Sequence, residues 1–332
     1  MLTQIDVMSD DSFELPILGV TPKSSLLILK VTGLNPPDRN LFIGDYSQDG
    51  GIYQGRRVGT RNVVLTIDLN PNPALGETVS GLREALYKAF IDPQVDGDYL
   101  KLLLRDDANR EIYLVGYCEK FETEIFDSST LCQISMLCPD PYLRDNQDSL
   151  VTHPSGLADF PFEYQGSAET GFVVRIYVTA TTDALTLRNN GKTMQLEAPD
   201  DITYDIDDVV IINTIRGQRS ITLTKDSDIT SEPVEFNPPD GYGTGDFVFY
   251  GPGIWRAQND ALSGGTTYND APGSHSTWVL VSSHILSHLL PTSQWLELHS
   301  VDNTMRVYEG TNPDGIVAGV RYLKYTSAYW GI

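Results

Sequence analysis

The chain has 332 residues, 40 % hydrophobic and 20 % charged, which suits about two packed domains and excludes wholesale disorder. Acids outnumber bases 45 to 23, and the resulting charge of −22 excludes a surface built to grip phosphates and disfavours anionic membranes. Three cysteines with no CxxC spacing make no disulfide framework, and no apolar run approaches the roughly 18 residues of a membrane helix.

The first residues lack the basic and apolar regions of a secretory signal, so a soluble protein made in a cytoplasm is expected. Strands are predicted over 26–31, 61–69, 99–104, 111–118 and 131–137. In the second of these Val63, Leu65, Ile67 and Leu69 alternate with polar residues. Cys132 and Cys138 share parity with Ile134 and Met136, so all four should face one side as buried, free thiols and apolar groups. Val79, Leu82, Leu86 and Phe90 recur at helical spacing, with Ser80 as the expected cap and Asp92-Pro93 as the stop.

Residues 139–171, rich in Pro, Asp, Ser and Gly, read as a linker. Short strands follow over 172–179, 184–188, 193–197, 208–213, 220–224, 294–299, 304–308 and 320–325. Strands at such spacing predict a second β-sandwich. Residues 232–284 break the composition: Gly, Pro and aromatics crowd together, with Arg256 the single base against six acids. That segment should be a small β module with strands over 246–250, 253–258 and 277–281, spliced into a loop. The predicted domains are thus 1–145, a β-sandwich or barrel with one helix; 146–231 with 285–332, a discontinuous sandwich; and the insertion 232–284.

Chemistry-bearing motifs are missing. No GxxxxGK[ST], GxSxG, HExxH or GxGxxG occurs. His284 and His288 lie four apart in a segment too short for a helical metal site, and no carboxylate pair stands out among 45 acids. No enzyme, cofactor or metal is expected.

The order of elements resembles the distal tail proteins of long, non-contractile tailed phages and viruses. The resemblance rests on Arg56-Arg57-x-x-x-Arg61 before an alternating strand, and on Leu137-Cys138-Pro139-Asp140-Pro141-Tyr142 closing the first part. In the second part it rests on Asp207-Asp208-Val209-Val210-Ile211-Ile212, Trp295-Leu296-Glu297-Leu298 and the ending Tyr329-Trp330-Gly331-Ile332. Asp207-Asp208 stands where the family has Gly-Asp, so the second part matches less well. The resemblance implies a structural virion protein at the tail tip, a homohexameric ring joining the tail tube protein to the tail tip or baseplate hub protein. DNA would pass its lumen without specific binding. It also implies a ring-forming first domain and a galectin-like sandwich pointing outward.

In such a ring, Arg56, Arg57 and Arg61 are expected to pair with acids of the neighbouring subunit rather than with DNA, since cyclic rings are built from heterologous contacts. The insertion is similar to small chitin-binding-type modules, through Tyr242-x-x-Gly245-Asp246-x-Val248-x-Tyr250, Trp255-x-Ala257 and Trp278-x-x-Val281. A host surface glycan is the implied ligand, with Trp255 and Tyr242 facing the sugar and Tyr250 and Trp278 packed inside. On this reading deletion of 232–284 leaves ring assembly intact. The competing reading is a non-viral lectin or polysaccharide-binding protein.

Overall fold

Antiparallel strands dominate the protein's structure, a computed structural model. It describes residues 2–9, 13–18, 25–45, 51–91, 99–107, 110–123, 130–152, 159–198, 203–226, 233–235, 246–250, 253–257, 278–299, 302–310, 312, 316 and 318–331. The fold is mainly β with sandwich packing, as expected, and among the described residues it has one α-helix. The chain divides into two units: Met1–Gln147 with Ser327–Ile332, and Asp148–Thr326.

The first unit holds β1 (Leu2–Ser9), β2 (Phe13–Leu18), β3 (Leu26–Thr32), β4 (Arg39–Asp45), β5 (Gly51–Val58) and β6 (Arg61–Leu69). After them come α1 (Val79–Phe90), β7 (Leu100–Asp106), β8 (Glu111–Thr123), β9 (Leu131–Cys138) and β10 (Leu143–Thr152), whose last residues belong to the second unit. One sheet runs β2-β1-β7-β8-β10 and the other β3-β6-β9-β8. The long β8 serves both: Glu111 to Gly116 pair with β7, whereas Tyr117 to Thr123 pair with β9.

The crossing point needs glycine. A Cβ on Gly116 would lie 2.8 Å from both the Cys138 sulfur and the Leu137 carbonyl oxygen. Between the sheets Val63, Leu65, Ile67, Leu102, Leu104, Ile134 and Met136 form the core. Cys132, Ile134, Met136 and Cys138 all point into it, at 0–1 % exposure, so the parity reading of β9 holds. Helix α1 buries Leu86, Ala89 and Phe90 against the same core. Its cap is Thr78 rather than Ser80: Thr78 is extended, and its hydroxyl accepts the Gly81 N–H at 3.0 Å, which Ser80, already inside the helix, cannot do.

The second unit contains β11 (Asp159–Glu163), β12 (Val173–Val178), β13 (Ala184–Asn189), β14 (Lys192–Glu197), β15 (Val209–Asn213) and β16 (Ser220–Thr224). It continues with β17 (Val234–Glu235), β18 (Phe247–Tyr250), β19 (Gly253–Ala257), β20 (Trp278–Leu280), β21 (Ser283–His284), β22 (Asp302–Glu309) and β23 (Ala318–Tyr329). A sheet ordered β23-β12-β15-β16-β21 packs on a sheet ordered β11-β22-β13-β14, enclosing Val174, Ile176, Leu187, Met194, Val210, Ile212, Met305 and Val307.

Two expectations are corrected. Residues 139–171 are not simply a linker: β10 and β11 lie within them, and their polar, alternation-poor sequence hid both. Residues 294–299 do not form a strand; Leu298 makes an isolated bridge to Thr170, while Trp295 packs on the core and under Arg219, 4.9 Å from its guanidinium carbon.

The segment read as a spliced module forms its own four-stranded sheet, β17-β18-β19-β20. Its Phe247, Phe249 and Ile254 pack on Val209 and Ile211 of β15. Those two residues face away from Val210 and Ile212, so every residue of β15 is buried and the strand has no solvent face. Arg175 of β12, buried and opposite Ile211 in the strand register, packs in this contact, its guanidinium 3.5 Å from the Phe249 ring centre and 3.7 Å from that of Tyr322.

Candidate functional site

Arg61 opens β6, and only 2 % of its surface is exposed. Its Nε donates to the Pro141 carbonyl at 2.6 Å, and Nη1 to those of Gly33 at 2.6 Å and Asn35 at 2.8 Å. Nη2 donates to the Trp330 carbonyl at 2.7 Å. Burial pulls the guanidinium below its ordinary pKa, opposed by the nearby Asp140. A planar fork with five donors can bind three chain segments at once, and lysine cannot.

The socket is built by the Cys138–Tyr142 motif and the last turn of the chain. The Tyr142 ring meets the Trp330 indole edge-on at 5.1 Å, and Asp140 holds Arg144 at 2.7 Å. The Arg39 guanidinium lies over the Trp330 ring, 4.5 Å from its centre. Arg110 stacks 3.8 Å from the centre of Tyr329. The expectation that Arg61, like Arg56 and Arg57, reaches a neighbouring subunit meets the fact that four of its donors are spent inside its own unit.

Arg56 and Arg57 stand elsewhere, on the β4–β5 hairpin. The two strands pair with each other from Arg39↔Val58 to Asp45↔Gly51, and form a separate two-stranded sheet. Both arginines are exposed. So are Leu41 at 57 %, Phe42 at 51 %, Ile43 at 64 % and Tyr53 at 59 %, a run of large apolar side chains in water. A two-stranded ribbon has only marginal stability alone, and an exposed apolar patch of this kind marks an interaction surface. The motif Arg56-Arg57-x-x-x-Arg61 therefore divides: two residues on an exposed arm, one in an internal lock.

In the β17–β20 sheet, Val248 pairs with Trp255 and Tyr250 with Gly253. Alternation puts Tyr250 and Trp255 on the face opposite the core-facing Phe247 and Phe249. Trp255 is partly exposed and its indole N–H donates to the Tyr250 carbonyl at 3.1 Å. Tyr250 is 40 % exposed, not packed inside: it ends the hairpin strand on the outward face. Trp278 begins β20, paired with Ala257, and Tyr242 lies outside the described residues.

Among the described residues no group of three His, Cys, Asp or Glu side chains could hold a metal, and no helix is long and apolar enough to cross a membrane. Burial pushes the Cys138 thiol up to about 11, and raises Cys118 and Cys132 as well.

No family model matches the chain, and no curated protein matches it. Among solved structures it is similar to the SPP1 Dit protein, described as a paradigm of the hub adsorption apparatus in phages infecting Gram-positive bacteria. The TM-score is 0.52 at 12 % identity, and the alignment covers 98 % of each chain. Two structures of the phage P2 baseplate in its activated conformation, with Ca and with Sr, align at 8 % identity with TM-scores of 0.42 and 0.39, over 98 % and 97 % of each chain. At 12 % identity the likeness is one of fold, and the chain shares the fold of SPP1 Dit over nearly its whole length.

Proposed function

We propose that the chain is a structural protein of a phage tail tip, forming a homohexameric ring between the tail tube protein and the tail-tip or baseplate hub protein. The observation that carries this reading is the fold shared with a phage hub protein across 98 % of both chains. The β4–β5 hairpin supports it. Its apolar run and its two arginines suit the edge of a neighbouring copy, where apolar burial and Arg–carboxylate pairs combine. On this reading the protein resides in the virion, after synthesis in the host cytoplasm, and is not an enzyme. With a charge of −22 per subunit, the lumen lets DNA slide through without docking its phosphates.

The second unit is assigned the role of an outward, galectin-like sandwich. The Tyr250 and Trp255 face of its added sheet is assigned to host glycan, since flat rings offer apolar area to the C–H faces of sugars.

Mass photometry and negative-stain microscopy of the purified chain test the ring, in physiological and in molar salt. Six-fold rings that Ile43→Asp abolishes are expected. A monomer at all concentrations in both salts overturns the proposal.

A further inference from the structure

A polar cleft lies on the outer face of the β11-β22-β13-β14 sheet. It has a volume of about 330 Å³ and is lined by Asp159, Arg188, Asn190, Gly191, Thr304 and Arg306. Arg188 on β13 stands directly opposite Arg306 on β22 in the strand register. Like charges in that position repel, and a sheet keeps such a pair only where something offsets it. Arg306 has its offset on the next strand. Its Nε and Nη2 donate to the two carboxylate oxygens of Asp159 at 2.5 and 2.8 Å, a bidentate pair that holds Asp159 below the usual carboxylate range.

Arg188 has no such carboxylate among the described residues; it is exposed at the cleft. The rim beside it is a tight two-residue turn, Asn190-Gly191, with φ of 47° and 83°. A Cβ built on Gly191 would meet nothing within 4 Å, so the cleft is open on that side. Asn190 is held in place by donating to the Asn303 side chain at 3.1 Å. Thr304 completes the lining, in which polar and apolar surface are nearly balanced.

We propose that this cleft binds the carboxylate of an acidic sugar, a uronate residue within a polysaccharide, with Arg188 as its anchor. The ligand's carboxylate would do for Arg188 what Asp159 does for Arg306. The cleft's size suits one or two pyranose rings, and its mixture of charged, hydroxyl and amide groups with apolar surface suits the hydroxyl and C–H faces of a sugar ring. The site is separate from the aromatic face of the β17–β20 sheet, and it stands whether or not the chain assembles into rings.

Calorimetric titration of the full chain with a galacturonate trimer tests this, alongside the carboxyl-reduced trimer and inorganic phosphate. The acidic trimer should bind, and its reduced form about tenfold more weakly or worse, as expected for losing a charge-assisted bidentate contact. Arg188→Gln should cost about the same factor, and Arg188→Lys part of it. Arg216→Gln, which removes an exposed arginine that pairs with the mostly buried Glu297 and does not line the cleft, should leave binding unchanged. Arg188 is exposed, so its variants should keep the circular dichroism of the parent chain; Thr304→Val, predicted to weaken binding without touching charge, gives a second reading. The proposal is overturned by equal binding of acidic and reduced trimers, by phosphate binding more tightly than the uronate, by full binding in Arg188→Gln, or by no binding of the acidic trimer.

Discussion

Arg61 and Trp330 are 269 positions apart in sequence, yet the guanidinium of one donates to the backbone carbonyl of the other at 2.7 Å. The bond belongs to a set of four, each to a main-chain oxygen, and no carboxylate takes part in it. Removing the buried side chain takes the shared donor from four carbonyls on three segments at once. Arg61→Ala should therefore destabilise the first unit by about 3–5 kcal/mol. Arg61→Lys should recover little, because a point charge cannot serve three segments. Denaturant unfolding of the full chain, followed by tryptophan emission, measures both; a loss under about 1 kcal/mol for Arg61→Ala would show that the socket closes without it.

Gly116→Ala places a methyl group against a carbonyl oxygen and a sulfur, each 2.8 Å away. The partners belong to the neighbouring strand β9, and the Cys138 side chain is fully buried, so neither can swing aside. A cost of about 2–3 kcal/mol is expected from such overpacking, read as a lower unfolding midpoint. Gly116→Ala with parental stability would mean that β8 can shift its crossing point.

Excising 232–284 should not be neutral. It removes the sheet that covers Val209 and Ile211, and it also removes β21, which pairs with β16 through Thr222↔His284 and Leu223↔Ser283. Each uncovered aliphatic side chain forfeits about 1.5–3 kcal/mol of burial. The excised chain should aggregate or bind a hydrophobic dye, and Phe249→Ala alone should cost about 3 kcal/mol. A soluble, cooperatively unfolding deletion would show that 232–284 is an independent module.

The thiols should be inert. With Cys138 raised to about 11, only on the order of 0.1 % of it is thiolate at pH 8. Alkylation by iodoacetamide at that pH should label Cys132 and Cys138 only after denaturation. The sign on stability follows: the unfolded thiol ionises near its ordinary value of 9.0 while the folded one does not, so stability is full below pH 9 and falls as pH rises towards 11. Asp159 works oppositely: depressed by Arg306, its contribution is present above its ordinary 3.8 and lost as pH falls below it. Unfolding curves from pH 3 to 11 should decline at both ends.

Strands with strict alternation were legible residue by residue. Arg61–Leu69 was predicted with the observed limits, and the inward face of β9 was read from the parity of two cysteines. Strands buried on both faces or on neither were harder. The β4–β5 hairpin went unseen because its apolar residues are exposed and its sequence is broken by glycines. The apolar run of β15 was recognised as a strand, but nothing local says that its second face is covered by residues nearly 40 positions downstream. The fate of Arg61 was illegible for a related reason: its acceptors are main-chain oxygens, which leave no mark on side-chain identity. The Arg188–Arg306 juxtaposition likewise depends on register, which sequence pattern does not set between distant strands.

The socket around Arg61 also dictates an order of events at the ribosome. Residues 1–147 leave the tunnel first, but their unit is completed by Ser327–Ile332. At roughly 5–20 residues per second, the nascent first unit waits on the order of ten seconds or more, with the carbonyls of Gly33, Asn35 and Pro141 available to Arg61 but not yet that of Trp330. The second unit is translated entirely within that interval. Arrival of Trp330 thus supplies the fourth acceptor and closes the socket, so the first unit is completed only after the second has been made.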